Sequence, residues 1–149
     1  MSGTDVVKEG MAAWSAGDAT KLAALLTDDF TFAGAGPTPL NKEQFLALSR
    51  ATHSAMPDWA FNARDWQENG DVVTVTVQIT GTHTGTMPPI MPGFPAVPPT
   101  GKKVQLAEEH HTYTVRSGQA ASAKTDAGAT GGGLIAFYQQ VGAQLPPMG

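Results

Sequence analysis

The sequence predicts an α+β fold in which helices cover one face of a curved antiparallel sheet. Apolar residues recur at helical spacing in the first third of the 149-residue chain. Further along, they alternate with polar residues in long segments, as in half-buried strands. Two of these segments meet at Asn69-Gly70, a dipeptide that favours a tight β-hairpin. Helices followed by a meander of strands are typical of this fold class.

Three helices are predicted in the first part of the chain. The first covers residues 6–15, whose apolar residues have helical spacing. The second covers residues 18–26 and can be capped by Asp18. The third begins at Asn41, and Gln44 stands at the reciprocal position of a capping box. The last two helices therefore carry start signals in their sequence.

The predicted strands include one short and four longer segments. They cover residues 30–32, 59–67, 72–83, 103–116 and 119–126. A loop at residues 87–99 contains six prolines between large apolar side chains. A short helix is predicted at residues 134–143, and residues 144–149 are predicted to form a flexible tail. No internal repeat is evident, and the length favours a single domain over residues 1–149.

Composition narrows the classes of function. Hydrophobic residues make up 41% of the chain, which is enough for a core, but no apolar run is long enough to span a membrane. The net charge is −4 and the basic residues are scattered, so a nucleic acid is not expected as a partner. The absence of cysteine removes disulfides and thiolate catalysis. No secretory signal is visible, so we expect a cytoplasmic protein.

Seven short motifs lie along the chain between about residue 14 and residue 142. They are Trp14-Ser-Ala-Gly-Asp18, Asp28-Asp29-Phe30, Met56-Pro57-Asp58, Glu68-Asn-Gly-Asp71, Gly81-Thr-His-Thr-Gly85, Pro99-Thr-Gly-Lys102 and Gln140-Val-Gly142. Their order and spacing resemble the SnoaL-like polyketide cyclase and ester cyclase group. This group belongs to the nuclear-transport-factor-two-like superfamily.

The resemblance implies a cone-shaped, cystatin-like α+β barrel with the N-terminal helices packed on the concave face of the sheet. It implies a cofactor-independent cyclase or isomerase, in the lyase or isomerase class, that uses acid–base chemistry on an apolar carbonyl-bearing substrate. It also implies a homodimer. The same fold hosts epoxide hydrolases and plain binding modules, so water activation on an epoxide and non-catalytic binding of a small ligand or a protein stay open as alternatives.

The chain departs from the family pattern after its last predicted hairpin. Ser122 stands where family members have Glu, and Lys124 stands where they have Trp. Asp126 lies near the family's acidic position. The resemblance therefore makes Asp126 a candidate general base, and Glu109 is a second candidate from the strand pattern itself.

Side-chain alternation predicts which polar residues face the interior. His83 shares a face with the valines of the strand at 72–83, and Glu109, His111 and Tyr113 share a face of the strand at 103–116. We expect these four side chains to converge in a hollow, with Asp126 as a neighbour. A buried carboxyl group can act as a base near neutral pH, and His or Tyr can donate to a developing oxyanion.

Other assignments are compatible with the same pattern. A shift of one residue in register would place Glu108 and His110 in the interior instead. The run of four polar residues at 108–111 also fits a solvated surface strand. For water activation on an epoxide, the candidate is Asp65 beside Arg64.

Large apolar residues are predicted to line the substrate pocket. They are Trp14, Trp59, Phe61, Val75, Val77, Met87, Met91 and Phe94. The proline-rich loop supplies the last three, and its apolar content favours a pocket lid or a dimer contact. No metal or cofactor is expected, because adjacent His110 and His111 point to opposite faces of a strand and cannot easily bind one ion.

Overall fold

Four helices and eight strands make up the part of the chain that the computed structural model describes, residues 2–34, 38–89, 94–126 and 133–143. The helices are α1 (Gly3–Ala16), α2 (Ala19–Ala24), α3 (Lys42–Ala55) and α4 (Gly133–Gln140). The strands are β1 (Leu26–Ala33), β2 (Leu40–Asn41), β3 (Arg64–Asn69), β4 (Val72–Val77), β5 (Thr80–Thr82), β6 (Lys103–Gln105), β7 (Glu109–Arg116) and β8 (Gln119–Thr125). None of the described helices is long and apolar enough to cross a membrane. The predicted tail at 144–149 and residues 90–93 of the proline-rich loop lie outside the described residues.

Side-chain caps explain where the first three helices begin. Ser2 and Asp5 form a capping box at α1, so this helix starts earlier than predicted. Asp18 caps α2 by accepting a backbone N–H of the first turn at 3.0 Å. Asn41 and Gln44 form the predicted capping box at α3, and both of its hydrogen bonds are 2.9 Å long. The start signals predicted for α2 and α3 are therefore confirmed.

The chain leaves α2 earlier than the sequence predicts. Leu26 is the first residue of β1 and not the last residue of a helix. The backbone N–H of Ala120 in β8 donates to the carbonyl of Leu25 at 2.8 Å, which starts the pairing of β1 with β8. This pairing extends the strand predicted at 30–32 in both directions, and it overrides the helical spacing of the leucines.

Six strands form a curved sheet in the order β2-β1-β8-β7-β4-β3. β1 runs parallel to β8, and the other neighbouring pairs in this sheet are antiparallel. α1 packs Val6, Val7 and Met11 against the apolar face of β4. The predicted α+β class, with helices on one face of a mainly antiparallel sheet, is confirmed.

The two longest predicted strands are each divided in the structure. The segment at 72–83 forms β4 and β5, and the segment at 103–116 forms β6 and β7. β5 and β6 pair with each other outside the six-stranded sheet, and Thr80 of β5 also forms an isolated antiparallel bridge with Ala60. The predicted strand at 59–67 also starts late, at Arg64, because Asn62 has a φ of 50° that interrupts extended backbone. Because β5 belongs to a different sheet from β4, His83, which follows β5, does not continue the face of β4.

The predicted hairpin at Asn69-Gly70 is confirmed, with a small shift in its loop. Asn69 pairs with Val72, so the two loop residues are Gly70 and Asp71. The register across β4 and β7 places Val77 opposite Glu109, Val75 opposite His111 and Val73 opposite Tyr113. Because side chains alternate along a strand, the three valines and these three polar residues share the face that the helices cover.

Candidate active site

An internal cavity of about 120 Å³ lies between the helices and the covered face of the sheet. Its wall is almost entirely apolar. Six aromatic side chains from the first half of the chain contribute to it: Trp14, Phe30, Phe32, Phe45, Trp59 and Phe61. The rings of Trp14, Trp59 and Phe61 pack against one another with centroids 5.7–5.9 Å apart. A ligand that fills this space must itself be largely apolar.

Three polar side chains of β7 interrupt the apolar wall. Glu109, His111 and Tyr113 stand at alternate positions, so β7 directs all three into the cavity. Glu109 is 3% exposed and His111 is 5% exposed. Glu109 Oε1 lies 3.0 Å from His111 Nε2, and His111 Nδ1 lies 3.0 Å from the Tyr113 hydroxyl. The three side chains form one hydrogen-bonded chain, which is called the relay below.

Two further donors surround the carboxyl group of Glu109. The hydroxyl of Thr125 on β8 lies 3.3 Å from Oε1, and the backbone N–H of Gly133 donates to Oε2 at 3.0 Å. Together with His111 Nε2–H, they give the group three donors, which suits the acceptor-only carboxylate form. His111 then carries its proton on Nε2, and Nδ1 is left to accept the Tyr113 hydroxyl.

Electrostatics keep the cavity end of the relay protonated. Burial raises the pKa of Tyr113, and the nearby charge of Glu109 raises it further. Tyr113 therefore enters any reaction as a neutral phenol. The His111 ring is packed against Phe32, with ring centroids 6.2 Å apart in an edge-to-face arrangement, which restricts its rotation.

The structure places His83 away from the relay. His83 is fully buried, but it is not among the residues that line the cavity. Its Nδ1 is 2.9 Å from the hydroxyl of Thr100, and its ring packs edge-on against Phe137. Because the chain bends between β4 and β5, this imidazole follows a different sheet from the one that carries Glu109 and His111. Desolvation lowers the pKa of His83, so the ring is neutral at physiological pH.

Asp126 lies on the opposite side of the sheet from the relay. Thr125 faces Glu109, so the next residue points outward. There Asp126 accepts hydrogen bonds from the backbone N–H and ring Nδ1 of His110, both at 2.7 Å. Partial burial acts to raise the pKa of Asp126, but the bonds from His110 outweigh it and the pKa is lowered. The expected position of Asp126 beside the cavity is not the one observed.

The register of β7 determines which of two sets of polar side chains faces the cavity, a choice that the sequence left open. Glu109 and His111 face the cavity, and Glu108 and His110 are exposed. Arg64 forms ion pairs with Glu108 and Asp65 at the surface, and neither Arg64 nor Asp65 lines the cavity. The carboxylate of Asp65, which the epoxide alternative requires, therefore does not face the cavity.

The predicted pocket residues divide into three groups. Trp14, Trp59, Phe61 and Met87 line the cavity. The other described members of the set, Val75, Val77 and Phe94, belong to the surrounding core and do not line it. Met91 lies outside the described residues.

Sequence reasoning missed several groups that contribute to the site. Thr125 was detectable, because it lies opposite His111 and two residues from Ala123, which lies opposite Tyr113. Phe30, Phe32 and Phe45 are apolar residues whose role depends on the packing of α3 against β1. The Gly133 N–H carries no side-chain signal. Among the described residues, no group of three or more His, Cys, Asp or Glu side chains is arranged to hold a metal ion.

Residues 7–123 match the sequence profile of the SnoaL-like domain. The chain belongs to the SnoaL-like family. This match covers most of the chain and confirms the resemblance seen in its motifs. No functionally curated protein matches the chain in sequence.

Solved structures support the same fold at low sequence identity. A protein from Jannaschia sp. CCS1, provisionally named a SnoaL-like polyketide cyclase, is 22% identical, with a TM-score of 0.70 over 97% of this chain and 93% of that one. IdmH from Streptomyces antibioticus, provisionally named a polyketide cyclase, is 24% identical, with a TM-score of 0.70 over 96% of this chain and 100% of that one. A hypothetical protein with a ketosteroid isomerase-like fold from Catenulispora acidiphila, solved in complex with trimethylamine, is 17% identical, with a TM-score of 0.65 over 95% of this chain and 97% of that one. At these identities the comparison establishes the fold.

Proposed function

We propose that the protein is a cofactor-independent enzyme of the cyclase or isomerase type, which moves a proton on an apolar carbonyl-bearing substrate. The observation that carries the proposal is the relay of Glu109, His111 and Tyr113 in a cavity that is otherwise apolar. A buried carboxylate with an imidazole and a phenol in sequence is costly to desolvate, and such groups cluster at functional sites.

The relay can act first as a base and then as an acid. In the resting state the Tyr113 hydroxyl donates to His111 Nδ1, and a lone pair of the phenol oxygen is free for the substrate. As the carbon next to the substrate carbonyl loses its proton to this oxygen, the phenol proton passes to His111 and Glu109 stabilises the imidazolium. The new O–H bond of Tyr113 then points at the substrate. It can return its proton to another carbon, which completes an isomerisation. It can instead protonate the alkoxide formed when the enolate carbon adds to a second carbonyl group of the substrate, which completes a ring closure. In both cases His111 Nδ1 returns its proton to the Tyr113 oxygen.

Two unpaired donors in the cavity wall favour a ligand with acceptor oxygens. The indole nitrogens of Trp14 and Trp59 are buried and have no hydrogen-bond partner within the described part of the chain. A buried N–H without a partner costs about 1–3 kcal/mol. A carbonyl oxygen brought within reach by a small movement of either ring would offset this cost. A hydrocarbon without oxygen would not.

Hydrogen exchange on a simple ketone tests the proposal without knowledge of the natural substrate. We expect the protein in D₂O to accelerate exchange of the methyl protons of 2-acetylnaphthalene, measured by proton NMR. Tyr113→Phe and His111→Gln should each reduce the catalysed rate by roughly 100-fold or more, as is usual for loss of a general acid–base group. His110→Gln is the matched control, because it alters the neighbouring imidazole on the exposed side of the same strand.

The outcomes separate the alternatives. Loss of exchange in Asp126→Asn, with Tyr113→Phe still active, would assign the base to Asp126 and overturn the relay. Binding of the ketone in the cavity without any exchange in the wild type would favour a non-catalytic binding module. Turnover of an aryl epoxide to its diol, lost in Asp65→Asn, would support the water-activation alternative.

We further propose that the protein acts in the cytoplasm as a homodimer that binds a small apolar ligand. The surface that supports pairing is the outer face of the sheet, which carries Thr74, Thr76 and Gln78. Thr74 and Gln78 are partly exposed there, whereas Thr76 is 8% exposed. Sedimentation velocity at micromolar concentration tests the dimer, and Thr74→Arg should dissociate it. A monomer at all concentrations would exclude this part of the proposal.

A further inference from the structure

The C-terminal helix α4 contacts the relay directly. Its first residue, Gly133, donates its backbone N–H to Glu109 Oε2 at 3.0 Å. Phe137, one turn further on, lines the cavity and packs against His83. α4 lies beyond residues 7–123, the part of the chain that matches the SnoaL-like domain profile. The family match therefore does not account for this contact.

We infer that α4 is a positioning element of the relay: its docking on β6 holds the carboxylate of Glu109 in the orientation that fixes the tautomer of His111. This inference rests on the proposed function for its catalytic consequence. It assigns Gln140 as a positioning residue, although Gln140 is exposed and does not line the cavity.

The docking contact is specific and is centred on one side chain. Gln140 Oε1 accepts the backbone N–H of Gln105 at 3.0 Å, and Gln140 Nε2 donates to the carbonyl of the same residue at 2.8 Å. This amide thus pairs with β6 as a neighbouring strand would. Between this clamp and Gly133, α4 buries Phe137 and Tyr138. The helix is therefore fixed at both ends, at β6 and at Glu109.

Gly133 supplies a hydrogen-bond donor to the second oxygen of the Glu109 carboxylate. Glu109 Oε1 is shared by His111 and Thr125, whereas Oε2 accepts the backbone N–H of Gly133. Gly133 has a φ of 79°, a conformation that suits glycine at this position. The start of a helix also carries partial positive charge, which favours an anion there. When α4 moves away, the carboxylate can rotate about its last bond, and the preference of His111 for a proton on Nε2 weakens.

A pair of adjacent glutamines provides the test. Gln140→Ala removes the clamp, and Gln139→Ala removes an exposed side chain of the same type from the same helix. We expect Gln140→Ala to reduce the kcat for ketone exchange by roughly tenfold with little change in KM, since small misplacement of catalytic groups is costly. Gln139→Ala should remain within twofold of the wild type.

Nitrogen-15 NMR of the His111 ring gives a readout that does not depend on activity. The wild-type ring should show a protonated Nε2 and an unprotonated Nδ1, and both shifts should move toward their average in Gln140→Ala but not in Gln139→Ala. If the wild type catalyses no exchange, the proposed function fails while the ring shifts still decide the role of α4.

A milder variant covers the case in which Gln140→Ala does not fold. Gln140→Glu retains an acceptor for the Gln105 N–H but loses the donor to its carbonyl once the new carboxyl group ionises. At pH 7, where the new carboxyl group is ionised, the ring shifts of His111 in this variant should be averaged, whereas those of the wild type should show a protonated Nε2. Identical His111 shifts in the wild type and in the clamp variants would overturn the inference.

Discussion

Gly85 holds the cavity wall against the end of α3, and replacing it with alanine gives the sharpest stability prediction. The backbone N–H of Gly85 donates to the carbonyl of Ala55 at 3.1 Å. A Cβ atom built on Gly85 would overlap the carbonyl oxygen of Ser54 and lie 3.0 Å from its carbon. Normal contacts between carbon atoms are about 3.5–4.0 Å, and the overlap with the oxygen is deeper than that with the carbon, so the two segments must separate by more than about 1 Å.

This separation has two energetic consequences. Overpacking of a close backbone contact costs about 1–3 kcal/mol. The bond from Gly85 to Ala55 would stretch beyond hydrogen-bond range, and loss of a buried backbone bond costs about 1–3 kcal/mol more. We therefore expect Gly85→Ala to lower the free energy of unfolding by about 2–6 kcal/mol. For a domain of this size the melting temperature should fall by roughly 5–20 °C.

The free energy of unfolding can be measured by urea denaturation, and substitutions at two other glycines provide controls. Gly10 lies within α1, and an added Cβ would meet only Leu22 at 3.8 Å, so Gly10→Ala should stabilise the protein by about 0.5–1 kcal/mol. Gly70 has open space around it but a φ of 59°, so Gly70→Ala should cost about 1 kcal/mol. A loss for Gly85→Ala no larger than that for Gly70→Ala would refute the reasoning, because it would mean that the close approach is not rigid.

Three further predictions concern capping and pH. Asn41→Ala should lower the free energy of unfolding by about 1 kcal/mol in urea denaturation, because it removes the cap of α3. The pKa of Asp126 is lowered and the pKa of His110 is raised, because the two groups pair in the folded protein. The pairing is lost when the pH falls through the pKa of Asp126 or rises through the pKa of His110. Asp126→Asn should therefore lower the urea midpoint more at pH 5.5 than at pH 9. Desolvation lowers the pKa of His83 below its ordinary 6.5, so stability should decrease as pH falls below about 6.5, when the unfolded chain binds a proton that the folded protein does not. His83→Gln should flatten this part of the profile, and equal slopes in the two proteins would contradict the assignment.

Local signals in the sequence predicted those parts of the fold whose cause is local. The capping residues Asp18 and Asn41 and the hairpin at Asn69-Gly70 act within a few residues of themselves, and all three are confirmed. The predicted end of α2 was wrong because Leu26 pairs with a strand more than ninety residues away. The divided strands were missed for the same reason. The curvature of the whole sheet determines where two segments leave it together. The alternation of side chains along either segment does not.

The candidate site was predictable in its residue types and less so in its geometry. Alternation along β7 grouped Glu109, His111 and Tyr113, because they lie on one uninterrupted strand. The same rule failed to locate His83, since it was carried across a bend that the sequence does not mark. Asp126 was expected beside the cavity because of its position in the family pattern, whereas the pairing of β8 with β7 directs Thr125 to the cavity and Asp126 outward.

Each of the two histidines of β7 pairs with a carboxylate, and the contrast between the two pairs shows what the sequence does not reveal. Glu109 with His111 and Asp126 with His110 have similar chemistry and similar hydrogen-bond lengths, 3.0 Å and 2.7 Å. They lie on opposite faces of the sheet. On the outer face water screens the charges, so the pair is worth little for either stability or chemistry. On the inner face the helices exclude water, so the same groups interact more strongly. Catalytic potential on this strand therefore depends on which face the helices cover, and that is a property of the packed fold.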